Sequence, residues 1–274
     1  MLKQRILTAL ILVPLVIAGI LYLSKTAIAI IFAVVLLQGA WEWTALAGIK
    51  RSFFRLIYVL LIAVGMYYVW PGTGDRFLMK ASGFLAVAWW VIAFLWIQFP
   101  ELLKKQSIIS LTFKLLSGVF VLLPVWYGLV SIHSVTADGP VWLLYVMMLV
   151  WVADSGAYFA GKAFGKHKVA PRVSPGKTWE GVFGAMILVA AYSLAGLLWL
   201  PMENGLMLLL VISSIVLVPL SLVGDLFESL MKRHSGLKDS GNLLPGHGGV
   251  LDRIDGLTPA IPAFMLMVML TELL

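Results

Sequence analysis

Nine separate runs of about 20 apolar residues divide this chain, and a run of that length is stable only against hydrocarbon or against other runs like it. Inside lipid every backbone N–H and C=O must find a partner within its own segment, which leaves the helix as the only form open to uninterrupted apolar stretches. The runs extend from Ile6 to Leu23, Thr26 to Ala47, Phe53 to Trp70, Phe77 to Phe99, Leu111 to Ile132, Val141 to Gly161, Thr178 to Leu200, Leu206 to Gly224 and Gly256 to Leu274. An all-α, polytopic integral membrane protein of about nine transmembrane helices is therefore expected. With 61% hydrophobic and 12% charged residues, the chain lacks the polar surface to coat a soluble globule. The first run follows Lys3 and Arg5 as a signal peptide's would, but it is long and no small-residue cleavage site follows, so it counts as a span. No cysteine is present, which excludes disulfides, thiolate metal sites and cysteine nucleophiles.

An odd number of crossings places the termini on opposite sides, and the cations indicate which is which. With a cytoplasmic N terminus, all but three of the 20 lysines and arginines fall in inner segments, leaving only Lys25, Arg76 and Lys80 outside. The net charge of +7 is thus explained by membrane orientation, and no nucleic-acid partner is expected. Most of the tryptophans read as interfacial anchors.

Two long polar segments both fall on the cytoplasmic side under this topology. From Lys162 to Glu180, five cations (Lys162, Lys166, Lys168, Arg172, Lys177) face a single acid, whereas Asp225 to Asp255 sets Lys232, Arg233, Lys238 and Arg253 against Asp225, Glu228, Asp239, Asp252 and Asp255. One segment suits an anion and the other a cation, so a metal-bound polyphosphate would satisfy both. Asp252 and Asp255 are three apart and would share a helix face, with Asp225 at the end of the preceding span, so the three carboxylates can converge on a hard divalent ion. The alternative is an interfacial network of these acids with Lys232, Arg233 and Arg253.

The stretch Ser229 to Asp255 is a polar, glycine-rich island, and its Pro245-Gly246-His247-Gly248-Gly249 is either a tight turn or an anion-binding concavity of backbone amides. His247 has no second histidine at ligand spacing. In the basic segment, Ser174-Pro175 has the form of an N-cap followed by a first helical proline, which would open the amides of the seventh span toward an anion beside Lys177. The P-loop spacing is absent. Among intramembrane acids, Asp154 stands in a row of small residues (Ala153, Ala157, Gly161) and is expected to face the protein interior, while Glu42, between Trp41 and Trp43, either joins the site or reaches the interface.

Ser229, Lys232, Arg233, Lys238, Asp239, Gly241, Leu244, Pro245, His247, Gly248, Gly249, Asp252, Arg253 and Asp255 together resemble the signature of the phosphatidate cytidylyltransferase (CDP-diacylglycerol synthase) family. Asp154 to Phe159 with Gly161, and Ser174-Pro175 with Lys177-Thr178 and Glu180-Gly181, also look like that family, with Lys162 standing where an arginine is common. The resemblance implies an enzyme that joins CTP to phosphatidic acid, giving CDP-diacylglycerol and pyrophosphate, with Mg²⁺ required, either in two divalent sites or in one divalent site beside a monovalent ion. It implies Asp225, Asp252 and Asp255 as metal ligands. Lys232, Arg233, Lys238, Asp239, His247 and Arg253 become catalytic candidates, with His247 orienting or stabilising charge. Asp154, Ser174, Lys177, Thr178, Glu180, Ser229, Gly248 and Gly249 become substrate-binding candidates.

Further expectations follow. Residues 1–135 would hold five spans and 136–274 the other four with the catalytic segments. A bacterial inner membrane would host the enzyme, its site facing the cytoplasm, and small-residue helix faces permit a homodimer. Two rival readings fare worse: a secondary transporter should show repeat-related halves, and a CDP-alcohol phosphotransferase needs an aspartate pattern that Asp255-Gly256 begins but Leu257 to Ile261 does not continue.

Overall fold

The computed structural model describes residues 2–70, 75–201, 206–243 and 248–271. Ten helices and one short hairpin follow in the order α1 (Leu2–Tyr22), α2 (Lys25–Ala47), α3 (Ser52–Tyr68), α4 (Arg76–Gln98), α5 (Ile108–Val135), α6 (Gly139–Phe164), β1 (Lys168–Ala170), β2 (Ser174–Thr178), α7 (Trp179–Gly196), α8 (Met207–Ser235), α9 (Leu251–Ile254) and α10 (Leu257–Thr271). Each apolar run has become a helix. Six of them, α2, α4, α5, α6, α7 and α8, are long and apolar enough to cross a bilayer, and α1, α3 and α10 carry shorter apolar stretches. The integral membrane, helical class therefore stands.

Helix starts follow the sequence chemistry. Ser24, Asp75 and Ser107 each accept a hydrogen bond from amides of the first turn of α2, α4 and α5, satisfying donors that have no intrahelical partner. The seventh span departs from expectation. Ser174 and Pro175 are not its cap; they lie in β2, which pairs antiparallel with β1 in the register Lys168↔Thr178 and Ala170↔Ser174. Thr178 is the N-cap instead, its hydroxyl accepting from Gly181 N at 3.2 Å. Proline lacks a donor wherever it stands, so serine followed by proline suits the short strand as well as a helix start.

The interior is aromatic where the site is supported. Phe227 of α8 touches Trp43, Trp89, Trp90 and Trp96, with ring centroids 5.6 to 6.1 Å apart. Trp43 donates its indole N–H to Lys114 O at 2.7 Å. These rings correct the expectation of interfacial tryptophans: Trp43, Trp89, Trp90, Trp96, Trp126 and Trp142 are all buried, because large rings fill the gaps between helices as readily as they anchor headgroups. Lys114, counted above among the inner surface charges, is buried as well.

Close helix approach depends on missing side chains. A Cβ on Gly156 would stand 2.9 Å from Ala185 Cα, and Gly181 lies against Ala157 O at the same distance, so α6 and α7 pack backbone to backbone. The small residues of α6 that might have served a dimer are engaged within the chain. Gly83 of α4 and Gly128 of α5 similarly admit Leu266 and Ile261 of α10, which joins the C-terminal helix to the N-terminal half.

Candidate active site

The last turns of α8 build the floor of the site. Asp225, Glu228, Ser229 and Lys232 recur at three- and four-residue spacing, so they line one helix face. The polar island was expected to be loop from Ser229 onward, but α8 continues to Ser235 and ends at Gly236, whose φ of 72° is left-handed. At about 1.5 Å per residue its 29 residues reach about 43 Å, beyond a hydrocarbon core of about 30 Å. Burial of Leu226, Phe227, Leu230 and Met231 against protein keeps these turns helical.

Two charge clusters flank this face. In the first, the Lys177 ammonium of β2 pairs with the Asp225 carboxylate, and Asp154 and Asp255 lie within electrostatic reach of the same lysine. Burial works to lower the Lys177 pKa, but the three carboxylates outweigh it and hold the ammonium above its ordinary value. Asp255 is pushed up to about 7, first by burial, then by repulsion from Asp225 and Asp154, against the opposing Gly256 N–H bond. Three acids thus gather near Lys177, with Arg253 also within reach of Asp154. Asp154 is accessible from the site, where it faces Lys177, Asp225 and Arg253.

In the second cluster, Lys232 donates to Asp252 Oδ1 at 2.7 Å and to Glu228 Oε2 at 3.1 Å. Asp252 Oδ2 also accepts from Ser240 N at 2.8 Å, Ser240 Oγ at 2.9 Å and Gly249 N at 2.9 Å. Burial alone would raise the Asp252 carboxyl, but these donors outweigh it and hold it below the usual carboxylate value. Glu228 lies within electrostatic reach of both Asp255 and Asp252 and so links the clusters.

The three acids expected on one cation are therefore divided. Asp225 and Asp255 belong to the Lys177 cluster and Asp252 to the Lys232 cluster; among the described residues no three acids or histidines are arranged to grip a metal ion. Asp252 lies in α9 and Asp255 caps that helix with helical φ and ψ, its N–H donating to Leu251 O at 3.0 Å, so the two acids keep the three-residue helical spacing expected of them.

The remaining candidates are placed as follows. Arg233 donates from Nε to Val173 O at 3.2 Å, fastening α8 to the hairpin. Lys238 and Asp239 are exposed, as is Arg253, while Ser229 is buried on α8. Gly248 has a φ of 82°, and a Cβ there would meet Asp252 Oδ2 at 2.6 Å, so a side chain is excluded twice over. Ser174 is half-buried in β2. Glu180 turns away from both clusters: its carboxylate accepts from Lys166 N and His167 N, and faces His167 Nδ1 at 2.6 Å. His247 and its neighbours Leu244 to Gly246 lie outside the described residues.

Sequence reasoning missed Glu228 and Ser240 as parts of the site. The four-residue spacing from Glu228 to Lys232 was a usable signal for the first; Ser240 had none. Glu42, left open above, is buried against the same loop, accepting from Val250 N at 3.0 Å and Leu251 N at 2.9 Å.

Known proteins resemble this chain along most of its length. Residues 3–271 match the model of the family described as the cytidylyltransferase family. A phosphatidate cytidylyltransferase of Pseudomonas aeruginosa is 46% identical over 268 residues, covering 96% of each chain. One from Haemophilus influenzae is 39% identical over 287 residues, covering 96% of this chain and 97% of its own. A third, from Staphylococcus saprophyticus, is 37% identical over 176 residues, 58% of this chain and 67% of its own.

Proposed function

This chain belongs to the cytidylyltransferase family, and on that premise we propose that it transfers a cytidylyl group from CTP to phosphatidic acid. A phosphate oxygen of the lipid attacks the α-phosphorus of CTP; the bond from that phosphorus to the bridging oxygen breaks, pyrophosphate leaves, and CDP-diacylglycerol remains. A phosphate monoester is already largely ionised near neutral pH, so the attack needs no strong base. The observation that carries the reading is the convergence of α6, β2, α8 and the α9–α10 turn on Lys177, Asp154, Asp225 and Asp255.

The donor set fits a hard divalent ion, since it consists of carboxylate oxygens. Asp225 and Asp255 would hold Mg²⁺, which when bound supplies charge neutralisation at phosphate oxygens. Lys177 and Lys232 position and neutralise phosphate groups. Asp252 holds the Lys232 ammonium in place, and the exposed Lys238, Arg233 and Arg253 attract the polyanionic nucleotide.

All nine apolar helices cross the membrane in this proposal, with the N terminus and the site in the cytoplasm of a bacterium, where CTP meets a lipid whose tails stay in the bilayer. The extension of α8 past the hydrocarbon boundary supports that placement. The test is direct: purified protein given labelled CTP and phosphatidic acid should release pyrophosphate and form CDP-diacylglycerol, and should lose both when divalent ions are chelated. No product with Mg²⁺ present would overturn the reading.

A further inference from the structure

Glu42 comes from α2, about 200 residues before the polar island, yet its carboxylate closes that island. It is 2% exposed. Oε1 accepts from Val250 N at 3.0 Å and from Gln38 Nε2 at 3.3 Å. Oε2 accepts from Leu251 N at 2.9 Å and lies 3.0 Å from Ser240 Oγ. The same hydroxyl stands 2.9 Å from Asp252 Oδ2, whose other oxygen takes Lys232. Ser240 thus stands between the two carboxylates, its single hydroxyl proton serving one of them at a time while its backbone N–H holds Asp252 Oδ2, and so it links α2 to the Asp252–Lys232 pair of the site.

Two glycines leave room for it. A Cβ on Gly241 would stand 2.7 Å from Glu42 Oε1, and one on Gly249 would collide with both Glu42 Oε2 and Ser240 Oγ. Both limbs of the loop thus close on this carboxylate, one at Ser240-Gly241 and the other at Gly249-Val250-Leu251. A carboxylate withdrawn from water is costly unless it is hydrogen-bonded, and the donors of this one belong almost wholly to that segment.

We propose that Glu42 is a positioning residue for the transfer reaction: it clamps Ser240-Gly241 to Gly249-Val250-Leu251 so that Asp252 presents Lys232 to the substrate phosphates. The proposal rests on the function proposed above, but its structural arm does not. Outer partners that orient a working group are typically worth about 10- to 100-fold in activity.

The full chain in detergent carries the test. Glu42→Gln keeps the shape but turns an amide N–H₂ toward backbone donors, and kcat should fall roughly 10- to 100-fold with KM for CTP and phosphatidic acid nearly unchanged. Glu42→Asp, which keeps the charge, should recover part of the loss. Hydrogen exchange at the Val250 and Leu251 amides should quicken in Glu42→Gln while α5 and α6 stay protected; a purely structural role would instead loosen the helices and leave no kcat-selective loss. Should Glu42→Gln not accumulate, Ser240→Ala removes the hydroxyl between Glu42 and Asp252 but leaves the backbone bonds of Ser240, Val250 and Leu251, and kcat should fall several-fold with Val250 and Leu251 still protected. Wild-type kcat in Glu42→Gln, or in Ser240→Ala where the former does not accumulate, overturns the proposal. So does unchanged exchange at Val250 and Leu251 in Glu42→Gln. If the wild-type chain itself makes no CDP-diacylglycerol, the functional reading fails, and the exchange measurement still decides whether Glu42 holds the loop.

Discussion

Replacing Lys232 with methionine keeps most of the side chain's volume and removes its charge. Lys232, Glu228 and Asp252 have side-chain exposures of only 13%, 5% and 8%, and the ammonium lies 3.1 and 2.7 Å from the two carboxylates. Water cannot substitute freely for it. Removing one partner of a buried pair typically costs about 3–5 kcal/mol, because the charge left behind stays desolvated. Here two acids are left, although Asp252 keeps its bonds from Ser240 and Gly249, so the lower end of that range, about 3 kcal/mol, is expected. At about 2 °C per kcal/mol for a chain of this size, thermal unfolding followed by tryptophan fluorescence should shift down by about 6 °C. Adding Glu228→Gln removes one of the stranded charges and should recover about half of the shift. Cytidylyl transfer should remain lost in that double variant, because the lysine is needed at the phosphates as well as between the acids. A Lys232→Met protein that unfolds within a degree of wild type refutes the electrostatic reasoning; one whose activity returns along with its stability refutes the direct role of Lys232.

Other outcomes follow from the same geometry. Lys177→Met leaves Asp225, Asp154 and Asp255 without their lysine and should reduce transfer at least about 100-fold, two decades at about 1.4 kcal/mol each, while Lys177→Arg retains more, as read by pyrophosphate release. Asp225→Asn should move the Mg²⁺ titration of activity to higher concentration; an unchanged titration argues against Asp225 as a ligand. Gly241→Ala drives a methyl into the Glu42 carboxylate and should depress both activity and thermal stability, whereas Gly176→Ala, with nothing within 4 Å of the added carbon, should match wild type in both assays. Because the chain lacks cysteine, single replacements Lys80→Cys and Lys238→Cys report topology without background: impermeant thiol reagents should label the first from outside whole cells and the second only after the membrane is opened.

Much of this protein was legible in one dimension. Apolar runs long enough to span lipid force helices, since no other backbone form satisfies itself there, and each run did become one. The spacing of charged and glycine residues after Ser229 carried the family resemblance, because a polyphosphate site needs particular groups along a short stretch of chain. What the spacing did not carry was the partition of those groups. Asp225, Asp252 and Asp255 read as one cation site, yet Lys177 arrives from the hairpin to pair with Asp225 and Lys232 turns within α8 to take Asp252. Ser174-Pro175 read as a helix cap until strand pairing with β1 claimed it. Glu42 was ambiguous because a buried acid and one reaching the interface have the same neighbours in sequence. Local chemistry along the chain selects helices and supplies reactive groups, since both depend on residues within a few turns; which carboxylate meets which ammonium is decided only when segments as far apart as Glu42 and Leu251 come within about 3 Å, the range at which buried charges find or lose their partners.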